Sequence, residues 1–414
     1  MDIRRLTLRR LIRSIKYRTT KFIATKLPFV LAKSRRSQLA SAQFVEENIY
    51  NKFNRSIDDV KLIAFYLPQF YPFPENDKWW GKGFTEWTNV TKAVPQYEGH
   101  YQPHLPIDLG FYDLRLLENV KRQIELAEDY GIYGFCYYYY WFSGYKIMDM
   151  PIYRLLQRPE LDFPFCISWA NEPWSAIWDE GNREVLVNQD KIFDAERFFN
   201  DISPLLLDPR YIKVEGKPIL IIYHPQYFEC KHFKTQMETL KNLAVKNRLK
   251  GLYIIFMKRE TDPQYKASDY GGDGFVEFPP LSVKHFFLFE NLKKITSEFN
   301  GNIYDLRKIV DFYKKTPQSI DELTYRSVLP MWDNTARKAK TGCTIFENAS
   351  PELYAEWLSF VVEKTKKEKR SEHQFVFINA WNEWSEGAHL EPDRKYGYAF
   401  LEATKRALLE ARKK

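Results

Sequence analysis

The feature that most restricts the fold is an alternation that begins at residue 62. Eight apolar, β-branched or aromatic runs occupy residues 62–70, 131–141, 163–171, 217–224, 252–258, 273–278, 327–333 and 375–384. Between them, 113–129 (with Asp113 as cap), 194–207, 231–249, 303–315 and 351–368 repeat apolar residues at helical spacing, and 398–412 follows the last run in the same way. Residues 142–160 predict only a short helix near 152–158, and 259–271 predict only loop. Strands alternating with helices imply a parallel sheet joined by right-handed crossovers. Eight such units in about 350 residues predict an α/β fold, a (β/α)₈ TIM barrel with a long loop excursion after the first strand. An open doubly wound sheet would carry a glycine-rich phosphate turn after its first strand. Here Tyr71-Pro72-Phe73-Pro74 follows, and Gly81-Lys82-Gly83 lacks the third glycine.

A barrel of this kind keeps its chemistry at the C-terminal ends of its strands. The residues predicted there are Gln69, Tyr139, Trp141, Asn171, Glu172, His224, Gln226, Lys258, Arg259, Glu277, Asp333, Asn334, Asn382 and Glu383. The most informative stretch is Asn379-Ala380-Trp381-Asn382-Glu383-Trp384-Ser385-Glu386-Gly387. Two acids three apart on a helical turn bring their Cβ atoms within about 5–6 Å. Carboxylates that close split their pKa values, because both cannot ionise cheaply. A proton donor beside a base is what glycosidic chemistry needs. A second stretch is Trp169-Ala170-Asn171-Glu172-Pro173-Trp174, with Trp178 and Asp179 behind it. Its amide suits a sugar hydroxyl and its carboxylate an acid or a binding group; equally, Asn171 can cap a turn, with Glu172 in the extended conformation that precedes proline.

The excursion 71–112 is long for a connector and reads as a lid or binding loop. It holds Trp79, Trp80, Glu86 and Trp87, and flat aromatic faces suit the C–H faces of sugar rings. His100 and His104 have the i, i+4 spacing of a metal pair, but Pro103 opposes a helix and no third ligand is near in sequence. No metal and no cofactor are predicted. The sequence contains no HExxH, P-loop, GxSxG or Asp-x-Asp. Tyr137 to Tyr140 alternate along a strand, so two point each way.

The net charge of +8 on 414 residues is unevenly placed. Residues 1–36 carry twelve basic residues and one acid, Asp2, a net +11 that leaves −3 for the rest. A mildly acidic body argues against nucleic acid as a partner. Leu8, Leu11, Ile12 and Ile15 with Arg9, Arg10, Arg13 and Lys16 form a basic amphipathic pattern. Such an arm suits an anionic membrane surface, at roughly 1 kcal/mol per basic residue near the lipid. The expected organisation is an arm over 1–45 and a catalytic domain over 60–414. No uncharged apolar stretch is long enough to span a bilayer, and a secretory signal fits poorly. The four cysteines are dispersed and form no CxxC, so a reducing compartment is expected. Together these predict a cytoplasmic protein, peripheral on the inner face of the membrane.

Several motifs in order resemble a known family. Phe65-Tyr66-Leu67-Pro68-Gln69-Phe70, Trp80-Gly81-Lys82-Gly83-Phe84-Thr85-Glu86-Trp87, Trp169-Ala170-Asn171-Glu172 and Trp381-Asn382-Glu383-Trp384-Ser385-Glu386-Gly387 look like those of WbsX-type proteins, relatives of glycoside hydrolase family 99. The resemblance covers about residues 60–410 and implies the (β/α)₈ fold. It also implies a retaining reaction in which Glu383 deprotonates a sugar 2-hydroxyl and Glu386 protonates the leaving oxygen, through a 1,2-anhydro sugar. The Asn171-Glu172-Pro173-Trp174 version ties the chain to the WbsX side, so mannose does not carry over as substrate. The predicted sugar-binding set is Trp80, Glu86, Trp87, Tyr139, Trp141, Asn171, Glu172, Trp174, Trp178, His224, Trp332, Asp333 and Asn382, with an oligosaccharide or bacterial surface polysaccharide as partner. Alternatives are a glycosyltransferase of lipopolysaccharide, O-antigen or capsule assembly, a hydrolase using Glu172 with Glu277, and a sugar-binding protein without turnover.

Overall fold

The structure, a computed structural model, describes residues 43–175, 184–283, 288–289, 292–295, 297–316, 323–338 and 341–413. Its centre is an eight-stranded parallel barrel: β1 (Lys61–Tyr66), β2 (Ile132–Phe142), β3 (Phe165–Trp169), β4 (Lys217–Ile222), β5 (Tyr253–Lys258), β6 (Gly274–Glu277), β7 (Thr324–Val328) and β8 (Phe375–Ile378). Each strand pairs with the next, and β1 pairs with both β2 and β8, which closes the sheet. This is the (β/α)₈ barrel the alternation predicts. Covered on both faces, the strands are apolar runs rather than alternating ones. Leu62 to Phe65 and Ile254 to Met257 are fully buried.

The helices are α1 (Pro74–Trp80), α2 (Glu86–Lys92), α3 (Leu117–Asp129), α4 (Met150–Leu156), α5 (Ala195–Leu206), α6 (Cys230–Lys246), α7 (Leu306–Lys315), α8 (Thr335–Lys338), α9 (Pro351–Glu368) and α10 (Ala399–Ala411). Asp194, Glu229, Asp305 and Ser350 cap α5, α6, α7 and α9 by accepting hydrogen bonds from first-turn backbone amides. The β5–β6 connection contains only a 3₁₀ turn, Ala267–Tyr270, as the loop prediction implies.

Several sequence boundaries need correction: the helix predicted over 303–315 starts at Leu306, because Asn300–Asp305 form a strand, and β8 ends at Ile378 rather than at 384. Asp113 does not cap α3, which starts at Leu117; its carboxylate instead holds the backbone and guanidinium of Arg115. Strand β7 spans 324–328 rather than 327–333. Arg326 interrupts its apolar pattern, yet that side chain is buried and paired with Glu368 of α9 at 2.6 Å. Trp332–Asp333 belong to a separate three-stranded sheet with Thr341–Glu347 and Asn300–Asp305.

Strand β2 shows the two-way alternation of its tyrosines. Tyr137 packs at a tilt against Tyr66, whose hydroxyl reaches Gln123 of α3, and Tyr139 meets Tyr153 of α4 and Phe198 of α5. Tyr138 packs on Phe65 and Phe278 inside the barrel, and Tyr140 lies by Trp174 at its mouth.

Residues 43–60 run down the outer wall between α3 and α10. Val45 bonds backbone to backbone with Tyr396 and Tyr398, just before α10 begins. Glu47 pairs with Arg122 midway along α3, and Lys405 donates to the Asn51 carbonyl. Asn54 and Asp59 then meet Arg412 at the far end. The body of the protein therefore includes chain that precedes residue 60.

Candidate active site

The loop after β8 is fastened to the end of β1 before it presents its acids. Trp381 N–H donates to the Phe65 carbonyl, 2.8 Å. Asn382 accepts from Leu67 N–H at 2.7 Å and donates to the Leu67 carbonyl at 3.0 Å. Asn382–Glu383 then pairs antiparallel with Ala388–His389, and Trp384–Glu386 forms one 3₁₀ turn between them. Gly387 closes that turn at φ 58°, and a Cβ there would stand 3.0 Å from the Asp333 backbone. Glycine is thus required twice over, by conformation and by space.

This tight hairpin puts Glu383 and Glu386 on one guanidinium. Arg337 of α8 donates from Nη1 to Glu386 at 2.6 Å and from Nη2 to Glu383 at 2.9 Å. It also pairs with Glu86, at the start of α2, at 3.3 Å. Ser385 Oγ–H donates to the Glu86 carboxylate, tying excursion to hairpin. Three acids share one cation. Burial first raises both Glu383 and Glu386 above the usual carboxylate range against the pull of Arg337; like charge adds to it, from Glu386 and Glu86 on Glu383 and from Glu86 on Glu386. Tyr138 and Tyr140 complete the inner wall. Burial and the negative charge of Glu383 raise both phenols, so they are neutral donors.

A second group stands on the β3–β5 side of the mouth. Glu172 lies 2.6 Å from His224 Nδ1 and accepts from Arg259 Nη1 at 2.9 Å. Burial would raise its carboxyl, but these two partners hold it below the ordinary value. Tyr223 lies between the groups, feeling the charge of both Glu172 and Glu386. Glu277 does not face Glu172. Its carboxylate accepts from Tyr313 of α7 and from Ser327 N–H, in the layer between barrel and helices.

Several residues predicted to bind sugar are used elsewhere. Tyr139 and Trp141 point outward from β2; Trp141 packs on Trp169 and Phe198 and donates to Asp201 at 2.7 Å. The side chain of Asn171 is consumed by the His224 backbone, at 2.7 and 2.8 Å. Asn382 is consumed by Leu67, as above, with a further bond to Tyr112. Trp87 is buried under Trp384, its Nε1–H held by the Tyr112 carbonyl. Asp333 accepts from His100 and Gln102, at 2.7 and 2.6 Å, and caps Thr335 at the start of α8. It thereby supports Arg337 from behind. Trp332 is buried in the small sheet. Trp80 and Trp174 remain half-exposed around the mouth. Trp178 and Asp179 lie outside the described residues.

His104 does gain partners, contrary to its isolation in sequence. It meets His389 at 3.0 Å, and with Asp393 the ligating atoms lie within 4.8 Å of one another. Burial lowers His104 to about 4 and His389 well below its ordinary value, so both imidazoles are neutral. His389 Nδ1 lies 2.9 Å from the Glu391 carbonyl, which fixes that nitrogen as donor and leaves Nε2 to accept from His104. The pair is satisfied as a hydrogen bond.

Arg337 is the functional candidate that sequence reasoning passes over. It sits in Thr335-Ala336-Arg337-Lys338-Ala339-Lys340, which reads as a solvated basic face. The only local hint is the Asp333 cap that starts its helix.

Comparison with known proteins agrees with this architecture. The chain is similar to the GH99 endo-alpha-mannosidase of Bacteroides thetaiotaomicron, with a TM-score of 0.55 at 16% identity over 86% of this chain and 98% of that one. A structure described as a glycoside hydrolase-like protein gives a TM-score of 0.54 at 15% identity, over 88% and 98%. At these identities the likeness is one of fold. WxcX, an uncharacterized protein of Xanthomonas campestris pv. campestris strain B100, is 40% identical over 351 residues, 84% of this chain. WxcX of strain ATCC 33913 matches equally well. The chain spans about half the length of these curated relatives. A family model described as Glycosyltransferase WbsX matches residues 62–404, so the protein belongs to the WbsX family.

Proposed function

We propose that the protein is a glycan-active enzyme in which Glu383 and Glu386 make and break a glycosidic bond with retention. Glu383 takes the proton of a sugar 2-hydroxyl, and that oxygen attacks C1. Glu386 gives its proton to the departing oxygen as the C1–O bond breaks. The 1,2-anhydro sugar is then opened at C1 by water or by an acceptor hydroxyl, whose proton passes to Glu386 while Glu383 returns the first one. Water gives hydrolysis; a sugar hydroxyl gives transfer.

The observation that carries this reading is that one guanidinium binds both carboxylates. Two acids on one arginine lie on the same side of any sugar that meets them. An ordinary retaining pair flanks the bond from opposite sides, about 5–5.5 Å apart. Raised carboxyl pKa values also suit groups that must hold and release protons near neutrality. Trp80, Trp174, Tyr138, Tyr140 and Tyr223 offer aromatic and hydroxyl contacts around the pair, and the Glu172–His224–Arg259 group offers a polar subsite across the mouth.

The family description favours a second reading, a glycosyltransferase of surface-polysaccharide assembly. The same acids would then deliver the sugar to an acceptor. In either case the substrate is an oligosaccharide or a polysaccharide, and residues 1–36 bring the protein to the anionic inner face of the membrane in the cytoplasm. The deciding experiment incubates wild type, Glu383→Gln and Glu386→Gln with bacterial surface glycans and follows products by NMR. Retained anomeric configuration, lost in both variants, supports the proposal. Full activity in both variants refutes it. A nucleotide-linked donor that raises the melting temperature would favour transfer, since a ligand stabilises only the state that binds it.

A further inference from the structure

His104 and His389 hold one another through a single proton, but the third member of their cluster is left over. Asp393 is 1% exposed. Its Oδ1 accepts from the backbone amides of Lys395 and Tyr396 at 3.0 and 2.6 Å, which fixes the carboxylate. Its Oδ2 stands 3.9 Å from His389 Nε2 and has no hydrogen bond among the described residues. The Tyr101 hydroxyl approaches the same carboxylate, in a contact that falls short of hydrogen-bond geometry. A buried carboxylate oxygen left without a partner is costly, and in native proteins it calls for an explanation.

Each side chain that converges here is held from behind. His389 is fixed through Nδ1 on the Glu391 carbonyl, and its ring stacks on Trp384 with centroids 3.8 Å apart. Asp393 is fixed by its two amides. The His104 ring stacks on Tyr101 at 4.2 Å. Such outer support is what orients the ligands of a metal ion. The spacing fits as well. Two atoms on one tetrahedral zinc, with bonds of about 2.0–2.1 Å, lie about 3.3 Å apart. His104 Nδ1 and His389 Nε2 are 3.0 Å apart, and Asp393 Oδ2 is 3.9 Å from the latter, so the observed separations bracket that value. A turn of the carboxylate about its anchored Oδ1 closes the rest. Two imidazoles with one carboxylate suit zinc, whereas calcium and magnesium take oxygen ligands.

We propose that His104 Nδ1, His389 Nε2 and Asp393 Oδ2 form a binding site for one zinc ion. Binding requires the His104 proton to sit on Nε2 instead of Nδ1. The ring stays neutral, and the bond between the imidazoles is exchanged for two bonds to the ion. Tyr101 faces the remaining position. A cleft lined by Tyr101, His104, Glu347 and Lys395 gives the ion a way in. The negative charge of Asp333 reaches His104 and offsets that of Lys395.

The site lies on a seam. His389 stands opposite Asn382 in the hairpin that carries Glu383 and Glu386. His104 belongs to the excursion after β1, which is stitched to the chain beyond the hairpin by Ile107 N–H on the Pro392 carbonyl, 3.2 Å, and Arg394 N–H on the Leu105 carbonyl, 2.9 Å. The ion would rivet excursion to hairpin. This role does not depend on the glycan-active reading.

The test uses the full chain without a histidine tag, stripped with a chelator and titrated with zinc sulfate. One tightly held zinc per chain is expected, with a melting temperature that rises with zinc concentration, as for any ligand of the folded state. Zinc-edge X-ray absorption of the wild type should show nitrogen and oxygen ligands that include two imidazoles. His104→Gln and Asp393→Asn should bind zinc many-fold more weakly, and His232→Gln, on α6, should bind it as wild type does. Less than one zinc per chain, a shell with fewer than two imidazoles, or unchanged affinity in both His104→Gln and Asp393→Asn overturns the site. The absorption measurement needs no variant, so it decides the matter even if the substitutions impair folding.

Discussion

Arg337 reaches across 46 positions of chain to bind Glu383, Nη2 to Oε2 at 2.9 Å, with both side chains less than a tenth exposed. Its other terminal nitrogen holds Glu386, and Glu86 approaches the same head group. One guanidinium thus bridges three acids drawn from two distant parts of the chain.

Removing that cation is expected to be severe. Arg337→Ala leaves buried carboxylates without their partner, a defect that costs on the order of 3–5 kcal/mol. Arg337→Lys keeps the charge but loses the fork that spans two carboxylates, and should be intermediate. Chemical denaturation of the three proteins measures the order. An Arg337→Ala protein as stable as wild type would refute it.

Glu383→Gln and Glu386→Gln should each abolish turnover while leaving the fold intact, because an amide keeps the shape and relieves a like-charge contact. Their melting temperatures are expected at or above that of wild type at neutral pH. A large fall in melting temperature would show that the acids are structural instead.

Stability should depend on pH in a defined direction. Burial raises Glu391 to about 7 and Asp393 to about 6, and raises Glu383 and Glu386 as well. A raised acid contributes stability that is full below its unfolded value and is lost as pH climbs through the folded one. Asp59, Glu172 and Asp333 are lowered, so their contribution is present above the ordinary carboxylate value and disappears in stronger acid. The melting temperature should therefore peak at mildly acidic pH, about 5, and fall on both sides. A flat profile between mild acid and mild base would contradict these burial effects.

Asn171 and Asn382 should behave as fasteners. Asn171→Ala and Asn382→Ala leave buried backbone groups unpaired, at about 1–3 kcal/mol each. Loss of stability is expected in both. In Asn382→Ala, which frees the hairpin that carries the acids, kcat should fall more than KM rises. A pure KM effect without destabilisation would restore the sugar-binding role that the sequence suggests.

Tyr139→Phe and Trp141→Phe should leave turnover nearly unchanged, because both side chains face α4 and α5. Tyr138→Phe and Tyr140→Phe, on the inner face, should lower it. Steady-state rates on one glycan separate the two pairs.

What could be read from sequence follows from what each signal depends on. The barrel was legible because eight strands covered on both faces must be apolar throughout, and long amphipathic helices repeat at their own period. The acid pair was legible because Glu383 and Glu386 are close in the chain, so local geometry alone joins them. Arg337 was not, because its meaning depends on a contact 46 and 49 residues away. Strand β7 was misplaced for a related reason: a buried arginine looks like a surface residue until its partner on α9 is known. Asn171 and Asn382 illustrate the converse. The residue types suited sugar hydroxyls, but backbone at the ends of β4 and β1 claimed them first.

The four tyrosines of β2 give the strand two independent vocabularies. Positions 137 and 139 are answerable to the helices outside, and 138 and 140 to whatever occupies the mouth. A lineage can therefore revise how it greets a new glycan by rewriting every second letter, leaving the outer packing undisturbed. A single inserted residue within the strand, in contrast, would exchange the two sets at one stroke, turning helix contacts into the cavity and cavity contacts into the wall.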